Sequence, residues 1–184
     1  MPLSSLDPLV AQWFRARFQD LTEPQRLGWP EIRARRDVLI SAPTGSGKTL
    51  AAFLMAIDSL VRRARVNELP DGVEVLYVSP LKALSNDVHK NLDVPLAGIA
   101  ELAREAGVPL APIRTAVRTG DTPMWERQRM TRESPHILVT TPESLYILLT
   151  AEKSRQMLRS VKTQRCICTR SPDSSEDSTT SRPP

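Results

Sequence analysis

Between the apolar tripeptide Val38-Leu39-Ile40 and a long amphipathic stretch that opens at Lys48 lies the octapeptide Ala42-Pro43-Thr44-Gly45-Ser46-Gly47-Lys48-Thr49. No other part of the sequence restricts the fold so tightly. Glycine tolerates backbone angles that other residues avoid, so Gly45 and Gly47 let the chain turn and point successive N–H groups inward. A helix that begins immediately afterwards aims the positive end of its dipole at the same spot. That combination cradles phosphates. Lys48 is placed to reach the β- and γ-phosphates of a nucleotide, and Thr49 offers its hydroxyl to Mg²⁺. A plain glycine turn between strand and helix would not need Lys and Thr to follow directly. The expectation is an ATP–Mg²⁺ site built from all eight residues, Ala42 to Thr49.

The rest of the chain supplies the scaffold such a loop requires. Leu9, Val10, Trp13, Phe14 and Phe18 fall on one side of a first helix, with Gln12, Arg15 and Arg17 off it. A second helix opens at Leu21-Thr22-Glu23-Pro24-Gln25, where Thr22 is an N-cap and Gln25 stands at the capping-box position. Val38 to Ile40 reads as a buried strand, Lys48 to Arg65 as a helix and Val73 to Val78 as a second strand. Helices over Leu81–Asn91 and Pro95–Ala106 follow, the latter stopped by Gly107. Thr115–Thr119 and His136–Thr140 read as further strands, with a polar helix around Met124 to Met130 between them. Thr141-Pro142-Glu143 starts one more helix, because threonine caps and proline suits the first turn. Strands that alternate with helices imply an α/β fold with a parallel sheet and right-handed crossovers.

Composition removes several classes. At 184 residues the chain suffices for one domain with a core. No apolar run is long enough to span a bilayer, and Met1 to Asp7 lacks a basic-then-apolar leader, so no membrane partner and a cytoplasmic location are expected. Cys166 and Cys168 are too few for a disulfide framework, and no second ligand pair completes a zinc site. A net charge of +4 is compatible with a polyanionic partner. From Thr169 to Pro184 the chain carries no large apolar residue and is expected to be a disordered tail.

Further blocks, one upstream and three in order after the phosphate loop, resemble those of superfamily 2 helicases of the DEAD/DEAH-box type. The Ala42-x-Thr-Gly-Ser-Gly-Lys-Thr49 variant is common in that superfamily. Thr22 and Gln25 look like its Q motif, in which the glutamine amide offers adenine one acceptor and one donor together. Ser79-Pro80-Leu81-Lys82-Ala83-Leu84 resembles motif Ia, with Pro80, Leu81 and Lys82 expected on the backbone of a nucleic-acid strand. Arg118-Thr119-Gly120-Asp121-Thr122 resembles the next contact block, where Thr119 and Gly120 would approach a phosphate. In Thr140-Thr141-Pro142-Glu143-Ser144-Leu145, similar to motif Ib or Ic, Thr141, Pro142 and Glu143 would hold another. Within the superfamily, Trp13-Phe14-x-x-x-Phe18, Gln25-x-x-Gly28-Trp29-Pro30 and Thr141-Pro142-Glu143-Ser144-Leu145-Tyr146 are most like the large helicase-related (Lhr) group.

The resemblance implies a RecA-like P-loop NTPase domain over residues 1–163, an ATP-driven translocase activity, and single-stranded DNA or RNA as partner. It also implies an Asp-Glu-x-His block after Thr163, and none is present, so no catalytic residue is identified. Val161-Lys162-Thr163 begins like a fifth strand that Gln164-Arg165 interrupts, and residues 164–184 are expected to be an aberrant tail. Two readings therefore stand together: a helicase fragment cut before its hydrolytic acid, or a module that binds nucleotide and nucleic acid without hydrolysis. A P-loop kinase or transporter ATPase would lack the Ser79–Leu84 and Thr141–Leu145 blocks. Oligomeric state is not legible.

Overall fold

Parallel strands need both faces covered by helices, and the alternation along the sheet shows how this is done. The computed structural model describes residues 3–43, 45–79, 88–161 and 163–166. Strands β1 (Val75–Val78), β2 (Thr115–Arg118), β3 (Ile137–Thr140) and β4 (Thr163–Cys166) form one sheet in the order β2-β3-β1-β4, with every pairing parallel. Val75 and Tyr77 of β1 and Ile137 and Val139 of β3 join one apolar cluster. Leu76 and Val78, with Leu138, join a second cluster that contains Met130, Leu148 and Met157. The two-residue period of a strand thus splits between two cores.

Helices α1 (Pro8–Arg15), α2 (Glu23–Arg33), α3 (Lys48–Arg65) and α4 (Val94–Glu105) supply residues to the first core, α4 being preceded by a π-helical turn at His89–Asp93. Helices α5 (Met124–Arg132), α6 (Pro142–Thr150) and α7 (Glu152–Met157) supply the second. The central member is α3, in which twelve residues from Leu50 to Ala64 are buried; a helix apolar on nearly every side belongs inside a domain. Phe53 of α3 lies against Tyr77 of β1 with ring centroids 4.5 Å apart. Trp29 of α2 is fully buried, donates its indole N–H to the Ala51 carbonyl at 3.0 Å and meets Phe14 edge-on. One tryptophan therefore joins α1, α2 and α3.

Buried charge ties the same helices together. Asp58 of α3, 3% exposed, accepts from the Asp7 N–H, from Arg33 at 3.1 Å and from Arg62 at 3.0 Å. Asp7 in turn pairs with Arg65 at 2.8 Å and caps α1 through the Leu9 N–H at 3.0 Å. At the opening end of β3, His136 is buried and accepts from the Arg114 N–H through Nδ1 at 3.0 Å. Burial pushes its pKa below the usual value, helped by the nearby Arg114 charge and opposed by a hydrogen bond with the Pro70 backbone.

Three expectations are corrected. Val38-Leu39-Ile40 is not a buried strand: it runs outside the sheet, with Leu39 94% exposed. An apolar run states a preference for burial but not a hydrogen-bonding neighbour, and this one follows a left-handed Arg35 at φ 58°, with Ile40 packed on Gly28 of α2. The first helix also ends at Arg15, short of Phe18, although the Phe18 ring still lies 4.8 Å from Phe14. Nor do Gln164 and Arg165 interrupt the expected fifth strand and open the tail: they lie inside β4, paired with Leu76 and Tyr77 of β1, because backbone hydrogen bonds to a neighbouring strand do not require apolar side chains. Residues 167–184, with the expected tail and Cys168, lie outside the described residues, as does most of the helix expected over Leu81–Asn91. Among the described residues no helix is long and apolar enough to cross a membrane.

Candidate nucleotide and nucleic-acid site

The direction of α3 places the phosphate loop. Its C-terminal turn lies beside the starts of the strands: Arg63 pairs with Glu74, just before β1, and the Ala64 carbonyl accepts from Ala111, ahead of β2. At 1.5 Å per residue an 18-residue helix runs about 27 Å. Its other end, at Lys48, therefore stands beyond the C-terminal ends of the strands. That edge is where ligands sit in open α/β sheets.

Gly45 and Gly47 take φ of 80° and 82°, the left-handed region where a side chain is strained. Gly47 is also the N-cap of α3. A Cβ built on it would lie 3.1 Å from the Gln25 amide nitrogen and 3.2 Å from Thr22 Oγ1. The capping residues at the start of α2 are thus pressed against the loop, with glycine the residue that fits between. Gln25, 2% exposed, accepts the Thr22 N–H through Oε1 at 3.0 Å, which leaves its NH₂ turned toward Gly47. Ser46 Oγ is buried without a hydrogen-bond partner among the described residues, and Thr22 Oγ1 faces the Gln25 N–H as its capping-box contact. A buried hydroxyl is seldom left so, and one inside a glycine cradle suits a ligand rich in acceptor oxygens. Lys48 Nζ donates to the carbonyls of Ala42 and, at 2.6 Å, Pro43. Thr49 follows in the first turn of α3. Ala42, Pro43, Gly45, Ser46, Gly47, Lys48 and Thr49 are thereby brought together with Thr22 and Gln25, while Thr44 is outside the described residues.

The remaining expected contacts assemble through strand register. Val78 and Arg118 both stand opposite Thr140, so Ser79, Thr119 and Thr141 leave three adjacent strands side by side. Thr140 donates its hydroxyl to the Arg118 carbonyl at 2.7 Å, and the Ser79 N–H donates to Thr140 at 3.0 Å. Thr141 is the N-cap of α6: its Oγ1 accepts the Ser144 N–H at 3.3 Å, and Pro142 takes the first helical position. Glu143 is exposed in the same turn. The Thr141 hydroxyl is therefore engaged in capping within a buried residue, and the exposed Glu143 side chain and the backbone form the outward polar surface of that turn. Pro80, Leu81 and Lys82 lie outside the described residues.

One residue at this edge was not singled out from the sequence. Arg127 of α5 donates from Nε to the Thr122 carbonyl at 2.7 Å and from Nη2 to the Gly120 carbonyl at 2.6 Å. Thr122 Oγ1 accepts the Thr119 N–H at 2.8 Å, so the loop from Thr119 to Thr122 is closed from inside and strapped from outside. Arg118 is 7% exposed, and burial together with the neighbouring Arg127 charge lowers its pKa. Two guanidinium groups thus stand beside one loop, whose exposed Asp121 offsets part of their charge. Spacing of five to seven residues across a turn and a helix start left no periodic signal by which Arg127 could be found.

Comparison with known proteins identifies the family. The family model described as DEAD/DEAH box helicase matches residues 22–166. An ATP-dependent helicase Lhr-Core of Methanothermobacter thermautotrophicus is 53% identical over 159 residues, covering 86% of this chain and 18% of the relative. An Lhr helicase/probable uracil glycosylase of Mycolicibacterium smegmatis is 48% identical over 162 residues, covering 88% of this chain and 11% of the relative. The solved structure of Mycobacterium smegmatis helicase Lhr bound to ssDNA and AMP-PNP superposes with a TM-score of 0.80 at 45% identity, over 90% of this chain and 20% of that one. The chain thus spans a fifth or less of the length of these relatives.

Proposed function

The chain belongs to the DEAD/DEAH box helicase family, and from that premise we propose that it forms the ATP-binding part of a motor that moves on single-stranded nucleic acid. Residues 1–163 are read as part of the first RecA-like domain. The observation that carries this reading is the seating of Thr22 and Gln25 against Gly47, which joins an adenine-reading amide to a phosphate cradle. ATP, when bound, supplies the phosphoanhydride whose cleavage drives the motor. Gln25 would read the base, the backbone N–H groups of Gly45 to Lys48 would surround the phosphates, Lys48 would leave its carbonyl partners for them, and Thr49 would meet Mg²⁺. Arg118, Thr119, Gly120, Thr141, Pro142, Glu143 and the block from Pro80 to Lys82 would line the nucleic-acid strand. The relative solved with ssDNA and AMP-PNP supports both ligand classes.

A second reading, binding without hydrolysis, is favoured by one observation: after Thr163 the carboxylates are Asp173, Glu176 and Asp177, with no Asp-Glu pair at the end of an apolar strand. Titration with a fluorescent ATP analogue and Mg²⁺, alongside ATPase assays with and without single-stranded DNA, separates the two. Binding that is lost in Lys48→Ala with no turnover in either protein supports the second reading. Stimulated hydrolysis by the wild-type chain would refute the second reading and show that a carboxylate outside the expected Asp-Glu-x-His block serves as the hydrolytic acid. Binding unchanged in Lys48→Ala would overturn the proposed nucleotide site.

A further inference from the structure

The outer face of α5 has no part in the site described so far. Met124, Trp125, Gln128, Arg129 and Arg132 fall within one sector of the helix and are all exposed, whereas Met130 is buried in the second core and Arg127 turns toward the loop. Met124 is 67% and Trp125 63% exposed, so the two adjacent side chains leave one open apolar patch at the start of the helix. The Arg129 guanidinium lies over the Trp125 ring at 5.7 Å from its centroid. This contact fixes the ring's orientation without covering it. The sector contains two arginines and no carboxylate; Glu126 and Glu133 lie on its flank. Continuity with the candidate site is direct, because the first turn of α5 follows the Thr119–Thr122 loop and is strapped to it by Arg127.

We propose that Trp125, backed by Arg129, is a stacking platform for a base of the single-stranded nucleic acid that crosses the Thr119–Gly120 and Thr141–Pro142 edge. The inference rests on the nucleic-acid reading above and extends it to a residue outside the blocks that support that reading. An exposed indole beside cationic side chains is the chemistry that holds single strands without regard to sequence: rings stack on bases while arginines meet phosphates. Gln128 and Arg132 continue the same face along the helix, and Arg132 adds a second phosphate partner away from the loop.

The three tryptophans make the test simple. Trp13 and Trp29 are 1% and 0% exposed, so acrylamide quenching of the full chain reports on Trp125. Titration with oligothymidylate is expected to quench this emission and reduce its accessibility to acrylamide. Trp125→Ala should weaken binding by about 5- to 100-fold, and Trp125→Phe by much less, because phenylalanine keeps a ring. Arg129→Gln should lower the salt dependence of binding by roughly one phosphate contact, which Trp125→Ala leaves alone. Circular dichroism of each variant confirms that the exposed substitutions leave the fold intact. Oligothymidylate that binds with unchanged affinity in Trp125→Ala, and leaves Trp125 open to acrylamide, overturns the platform and spares the nucleic-acid reading. Equal protection by heparin overturns base stacking in favour of a polyanion contact. Failure of the wild-type chain to bind any oligonucleotide overturns both.

Discussion

Gly47→Ala tests the junction on which the nucleotide site depends. The substitution puts a Cβ where φ is 82°, a region that costs an L-residue about 1–2 kcal/mol. The unfolded chain also loses freedom, which returns about 0.4–1 kcal/mol. The new methyl must then share space with Gln25 Nε2 at 3.1 Å and with Thr22 at 3.2 and 3.4 Å. Gln25 is buried and hydrogen-bonded to Thr22, so neither neighbour yields freely and the loop moves instead. A displaced loop loses at least one N–H contact to phosphate, and a hydrogen bond to a charged group is worth about 1.5–3 kcal/mol. The expected result is a 10- to 100-fold weaker Kd for a fluorescent ATP analogue, by the usual factor of ten per ~1.4 kcal/mol. The melting temperature should fall by only about 2–4 °C. Gly45→Ala is the control: its φ is 80°, but a Cβ there meets nothing within 4 Å. It carries the backbone strain without the contact. Equal losses of affinity in the two variants would refute the claim that packing of Thr22 and Gln25 shapes the loop.

Asp58→Asn should cost about 2–3 kcal/mol of stability in urea titration, because it removes the charge that Arg33 and Arg62 share while Arg33 keeps its 2.6 Å bond to the Ser5 carbonyl; a loss below ~0.5 kcal/mol would mean that the pairs are solvated equivalents of one another. For His136, the folded pKa lies below the ordinary 6.5, so the unfolded chain takes up this proton first as pH falls. Stability is then independent of this group above about pH 6.5 and declines below it until the folded pKa is passed. His136→Gln, followed by denaturant midpoints between pH 7 and 5, should flatten that part of the profile, and an unchanged slope would assign it to other groups.

The local chemistry was legible because it is local. Apolar run, glycine turn and helix-opening lysine are contiguous, so the left-handed glycines before α3 and the helix start at Thr22–Gln25 could be expected without any knowledge of the fold. The helix over Lys48–Arg65 matches its expected limits, since eighteen residues of apolar periodicity leave little choice. Partner selection is different in kind. Val38–Ile40 has the composition of a strand, yet a strand exists only where a neighbour accepts its hydrogen bonds, and the sheet takes β4 beside β1 instead. The nearness of Gln25 to Gly47, the alignment of Ser79, Thr119 and Thr141 along one edge, and the strapping of the Thr119–Thr122 loop by Arg127 depend on register and helix direction. Those are settled only when the two faces of the sheet are buried together, because contacts across many residues carry no period that a linear sequence displays.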